Sequence, residues 1–201
     1  MISERVAEDA LLVRFEDADL RAAAARAHAL ATVLEGEPDI EELVPGAASL
    51  LVLTRRGSAD AVAAALERVE TPMPPRSATA HEIAVRWNGP DLAEIAQLTG
   101  RTPSALIEVL TATPFTVAFV GFQPGFPYLV GLPPELHVPR LASPRTLVPA
   151  GSFAIAGPFA GIYPFASPGG WRLLGETDIA LFDAQRVPPA LLRPGDAVRL
   201  R

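Results

Sequence analysis

The sequence contains no cysteine. That excludes a disulfide framework, zinc–thiolate sites, iron–sulfur clusters and a cysteine nucleophile. It contains no lysine either: all 17 basic residues are arginine. A lysine Schiff base, a pyridoxal anchor and a phosphate-loop lysine are therefore excluded within this chain. Any anion site here has to use Arg or backbone N–H groups. No uninterrupted apolar run reaches the roughly 18 residues of a membrane span. The acidic start, MISERVAEDALLVRFED, lacks the basic leader and long apolar core of a secretion signal. The expectation is a soluble cytoplasmic protein.

What is present is enough for a packed core. Of 201 residues, 49% are hydrophobic and 20% charged, which suits one large domain or two small ones. The net charge of −6 argues against nucleic-acid binding. The charge is uneven: residues 1–110 carry 18 acidic and 10 basic side chains, residues 111–201 carry 5 and 7. The 21 prolines are about twice the usual share.

The first part alternates strands and helices. Ala10–Phe15 reads as a strand and Leu20–Leu34 as an alanine-rich helix, with Asp17 or Asp19 as N-cap and Gly36 past its end. Residues 40–44 and 49–54 read as strands turned by Pro45-Gly46. Ser58 can cap a second helix that places Val62, Leu66 and Val69 on one face. This β-α-β-β-α order fits a small ferredoxin-like sheet with both helices on one side. The stretch 71–76, TPMPPR, reads as a linker, and His81–Trp87 as the next strand. A helical pair at 91–110 follows. Asp91 and Glu94 form a capping-box pattern, and Thr102-Pro103 gives an N-cap with Pro at the first helical position. Beyond Thr111 short apolar runs lie between Pro and Gly, at 115–120, 147–148, 153–156, 171–175, 179–182 and 197–200. Such short strands suggest a β-barrel or sandwich. The expected division is 1–76 and 77–201.

Eleven of the prolines fall between Pro114 and Pro168, a pattern of rigid, tightly turned loops. Between Thr111 and Gly170 the charged side chains are Glu135, Arg140 and Arg145, with His137 titratable. A two-carboxylate acid/base site cannot be built from this segment. Arg140 and Arg145 can bind a carboxylate or phosphate; the plainer reading pairs each with surface acids or carbonyls. Ser152 can be a nucleophile or an oxyanion contact, but it lacks the Gly-x-Ser-x-Gly pattern, and an ordinary turn serine is the other reading. The histidines at 28, 81 and 137 lack metal-ligand spacing. Trp171, after Gly169-Gly170, reads as core or as a binding platform.

Taken together, GFQPGFPYL at 121–129, the Pro-Arg pairs at 139–140 and 144–145, VPAGS at 148–152, GIYP at 161–164, SPGGW at 167–171 and PPALLRPGD at 188–196 form a pattern. It resembles the 5-oxoprolinase B-subunit family, also called allophanate hydrolase subunit 1, the carboxyltransferase subdomain or the sporulation histidine-kinase inhibitor group. The resemblance covers essentially the whole chain. It implies an α+β protein: a small ferredoxin-like α/β N-terminal domain followed by a cyclophilin-like β-barrel domain. It also implies two partners, the A subunit of the enzyme together with a homologue of its C subunit. The complex would hydrolyse 5-oxoproline, or a related small amide, to glutamate with ATP and Mg2+ bound at the level of the complex. Phosphorylating the lactam oxygen would supply a leaving group. The resemblance places Arg140, Arg145 and Ser152 in catalytic roles. It has Gly125, Phe126, Tyr128, Gly151, Tyr163, Gly169 and Gly170 line the substrate cleft, with no metal ligand among the side chains. The isolated chain is expected to be inactive. Where the family often carries His and Gln-Thr, this chain has Leu110 and Phe159-Ala160. Those apolar replacements keep open a binding-only regulator of a histidine kinase. A carboxyltransferase or allophanate-hydrolase-type component is the third reading.

Overall fold

The computed structural model describes residues 1–17, 19–69 and 79–201. The chain divides into two compact units, Met1–Ala78 and Thr79–Arg201. The linker expected at 71–76 lies outside the described residues.

The first unit is a four-stranded antiparallel sheet with two helices. Its strands are β1 (Ile2–Ala7), β2 (Ala10–Arg14), β3 (Ile40–Pro45) and β4 (Ser49–Thr54), in the order β1-β2-β4-β3. Helix α1 (Leu20–Leu34) begins where Asp19 accepts the Arg21 N–H at 3.0 Å, which settles the N-cap on Asp19. Period-two alternation puts Leu11, Val13, Leu50 and Val52 on one face. There they meet Ala23, Ala27 and Leu30 of α1 and Val62 and Leu66 of α2 (Ala59–Leu66) in one core. The strand β1 is additional to the expected order. All six of its residues are exposed, so it carries no alternating pattern to read; its ladder with β2 holds it at the edge.

The second unit is built on a curled, half-barrel sheet. Its strands are β5 (Ala80–Ile83), β6 (Phe115–Val120), β7 (Pro127–Val130), β9 (Ser152–Ala156), β10 (Phe159–Ile162), β12 (Arg172–Glu176) and β13 (Ala197–Leu200). They run in the order β12-β9-β10-β7-β6-β13-β5. A separate two-stranded ladder joins β8 (Arg145–Val148) to β11 (Ser167–Gly169). The strand expected over 81–87 ends at Ile83 because the chain then crosses to the opposite edge. Arg86 and Glu176 exchange both backbone hydrogen bonds, at 2.8 and 2.9 Å. Gly89 and Asp91 N–H groups donate to Leu174 and Leu173 at 3.1 and 3.0 Å. The open edge of β12 is thereby covered. The run at 179–182 makes only an isolated bridge, Phe182 to Ala190, instead of a strand.

Helices α3 (Leu92–Leu98) and α4 (Pro103–Ala112) close one side of this core through Ile95, Leu106 and Leu110. Thr102 caps α4 as its sequence indicates, accepting the Ala105 N–H at 3.2 Å. The capping box expected from Asp91 and Glu94 does not form. Asp91 is buried and takes Arg145 Nη2 at 2.7 Å and the Leu173 N–H at 2.6 Å. Glu94 pairs with Arg172 at 3.0 Å. A buried carboxylate gains more from a guanidinium and a strand N–H than from its own helix terminus. His81 pairs with Asp196 at 3.3 Å and His137 with the Leu132 carbonyl at 3.1 Å.

Candidate functional site

The proline-rich loops of the second unit converge on a cleft of about 280 Å³. Each wall arrives from a different element. Phe126 precedes β7 and Tyr128 lies in it; Tyr163 follows β10; Gly169 ends β11; Trp171 precedes β12. Phe126 meets Tyr163 edge-on at 5.1 Å and Trp171 at 5.5 Å, and Tyr128 meets Trp171 at 5.5 Å. Phe119 stacks flat behind Tyr128 at 4.1 Å. Edge-to-face packing of this kind fixes each ring by its neighbours' quadrupoles, so the walls are preorganised.

One cation stands at this aromatic wall. Arg140 is exposed, with its guanidinium carbon 6.0 Å from the Trp171 ring centroid. No ion pair or side-chain hydrogen bond of Arg140 occurs among the described residues. Burial pushes the phenols of Tyr128 and Tyr163 above the ordinary tyrosine range, with the Arg140 charge acting in the opposite direction. Both therefore stay neutral donors at physiological pH. The Trp171 backbone acts on the Tyr163 phenol in the direction opposite to burial, as Arg140 does. A β-carbon on Gly169 would lie 2.5 Å from that phenol oxygen, so the glycine makes room for Tyr163.

Of the residues singled out in the sequence, Phe126, Tyr128, Arg140, Tyr163, Gly169 and Gly170 line this cleft together. The other four sit elsewhere. Arg145 turns away to Asp91 and donates to the Trp171 carbonyl at 3.3 Å. Ser152 is buried at the start of β9 and donates to the Pro149 carbonyl at 2.8 Å. Gly151, at φ 81°, donates its N–H to the Tyr163 carbonyl at 2.7 Å and accepts the Thr177 N–H at 2.9 Å. Gly125, at φ 78°, packs on Phe182. Phe122, Pro144 and Pro168 also line the cleft and were not named as site residues from the sequence. Of the replaced family positions, Leu110 and Ala160 are fully buried in the core, and Phe159 packs edge-on behind Tyr128 at 5.7 Å.

The first unit holds a larger groove, about 590 Å³, between α1 and β3. Glu35, Glu37, Glu41 and Glu42 line it, with Arg55 the only arginine. That charge repels a carboxylate or phosphate, whereas the smaller cleft attracts one. The smaller cleft is therefore the candidate site.

The chain matches the family model for the carboxyltransferase domain, subdomain C and D, over residues 1–192. It is 41% identical to the B subunit of 5-oxoprolinase from Escherichia coli O157:H7, over 96% of this chain and 92% of that protein. The solved structure of TTHA0988 superposes with a TM-score of 0.83 at 37% identity. That match covers 96% of this chain, which spans 39% of the longer TTHA0988 chain. The urea carboxylase of Kluyveromyces lactis superposes with a TM-score of 0.76 over 99% of this chain and 21% of that one. At 18% identity that likeness is one of fold alone.

Proposed function

The chain belongs to the 5-oxoprolinase B-subunit family, within the carboxyltransferase-domain group, and from that membership we propose that it is the B subunit of an ATP-dependent 5-oxoprolinase. The complex opens the cyclic amide of 5-oxoproline to glutamate. This chain works in it, in the cytoplasm, with the A subunit of the enzyme and a homologue of its C subunit. Alone it is inactive. The first unit is read as ferredoxin-like, its fourth-strand place taken by β1, and the second as a cyclophilin-like barrel; strand order and the crossing at 84–91 support both. The kinase-regulator and carboxyltransferase readings are not favoured, because the close curated relative bears the 5-oxoprolinase name.

The observation that carries the site is Arg140 at the wall of the aromatic cleft, over Trp171 and without an ion pair among the described residues. We assign Arg140 to the substrate carboxylate, the ring faces to the apolar edge of the lactam, and the neutral Tyr163 hydroxyl to a polar atom of the amide. The packed rings exclude water from the bound ring. Arg145 is a positioning residue: through Asp91 and the Trp171 carbonyl it fixes the Trp171 wall. Ser152 holds the turn before β9.

A magnesium–nucleotide does not fit this lining, which offers one cation, no carboxylate and a volume at the low end for ligand pockets. The triphosphate is assigned to a partner chain. The test is reconstitution with cognate A and C subunits and measurement of ATP-dependent glutamate release. Loss of a charge-assisted pair should raise KM for 5-oxoproline about 10- to 100-fold in Arg140→Gln. An unchanged KM sinks the assignment of the cleft. No glutamate release from the complete complex sinks the activity.

A further inference from the structure

The loop from β6 to β7, Gly121-Phe122-Gln123-Pro124-Gly125-Phe126, contains two turns in series. The second is ordinary. Phe126 N–H donates to the Gln123 carbonyl at 3.0 Å, with Pro124 at the second position and Gly125, at φ 78°, at the third. Positive φ at that third position is what a type II turn asks of glycine. The first turn is not ordinary. Gln123 N–H donates to the Gly121 carbonyl at 2.8 Å, with Phe122 between them at φ 67°. This is a γ-turn with a positive-φ central residue, a rare and strained form. Phe122 is the only non-glycine residue with positive φ among the described residues. Glycine stands on its N-terminal side, yet the strained place is occupied by an aromatic side chain.

The strain gives the core little in return. Phe122 is 61% exposed at the cleft. Its ring stands nearly perpendicular to Phe126 at 5.5 Å and to Tyr163 at 6.2 Å. It lines the same cleft as Trp171 and Arg140. Strained backbone that folding does not require is found where a ligand requires it.

We propose that Phe122 is a specificity-determining residue whose strained turn holds its ring as a wall against the flat ring of a small cyclic carboxylate bound by Arg140. The proposal rests on the reading of this cleft as the 5-oxoproline site. A face-on aromatic contact of this kind favours flat rings over open-chain carboxylates.

The test uses the reconstituted complex, 5-oxoproline as the probe, and three variants. Phe122→Gly suits the backbone angle, so it folds while removing the ring. Its KM should rise about tenfold, the measure of a lost aromatic contact, with kcat within about twofold. Phe122→Tyr keeps the ring and should keep KM near that of the wild type. An unchanged KM in Phe122→Gly overturns the proposal, as does a fall in kcat alone. Arg140→Gln separates the two ideas. Raised KM there, with Phe122→Gly unaffected, refutes the aromatic wall and leaves the cleft standing. Unchanged KM in both refutes the cleft and the wall together.

Discussion

Replacing Asp91 with alanine should loosen the second unit far more than one surface-helix substitution would. The Asp91 side chain is 6% exposed and accepts two hydrogen bonds, from Arg145 Nη2 at 2.7 Å and from the Leu173 N–H at 2.6 Å. Each charge-assisted bond contributes about 1.5–3 kcal/mol. Arg145 is 26% exposed and regains water when its partner goes, which offsets part of the loss. The net cost in Asp91→Ala is then about 3 kcal/mol. For a unit of this size that lowers Tm by about 10 °C. Asp91→Asn keeps an acceptor for Leu173 and loses the charge, so its shift should be about half. Scanning calorimetry of the second unit's transition reads both. A shift below about 2 °C in Asp91→Ala, or equal shifts in the two variants, would refute the reasoning that this pair ties α3 to β12 and β8.

Two further outcomes follow from backbone crowding and from burial. A β-carbon on Gly151, at φ 81°, would lie 2.1 Å from the Thr177 carbonyl oxygen, so Gly151→Ala should cost about 3 kcal/mol in urea denaturation; a cost under about 1 kcal/mol contradicts that geometry. The protein's two tyrosines, Tyr128 and Tyr163, are both held above the ordinary phenol value of 10.0. The native state therefore keeps its phenolic protons longer than the unfolded chain. Their contribution to stability is complete below the ordinary phenol value and is lost as pH rises through the raised native values. Absorbance of the phenolate should appear later in the native protein than in urea; coincident titrations would count against buried phenols.

Local rules made much of the first unit legible. Asp19 before Leu20, Gly36 after Leu34, and the alternation in Ser49–Thr54 each state one element on their own. Strand β1 states nothing locally, because both of its faces are exposed. In the second unit Pro127 and Pro168 concealed β7 and β11, since proline opens one strand and sits in a short two-stranded ladder in the other. The capping-box reading of Asp91 and Glu94 went astray for a physical reason. Their true partners, Arg145 and Arg172, lie 54 and 78 residues along the chain. The same limit shaped the site. The motif named Phe126, Tyr128, Arg140 and Tyr163, and these four line one cleft. Only packing showed that Arg145 is already engaged and that Arg140 has no ion pair among the described residues. Phe122 stood in the motif, but its strained turn left no signal, because a positive φ on phenylalanine contradicts its own preference.

The cleft itself is tested most directly by a structure of the reconstituted complex with 5-oxoproline bound. The account predicts the ligand carboxylate on Arg140 and its ring between Phe122 and Trp171. A ligand bound elsewhere, with this cleft empty and Arg140 unengaged, would contradict it.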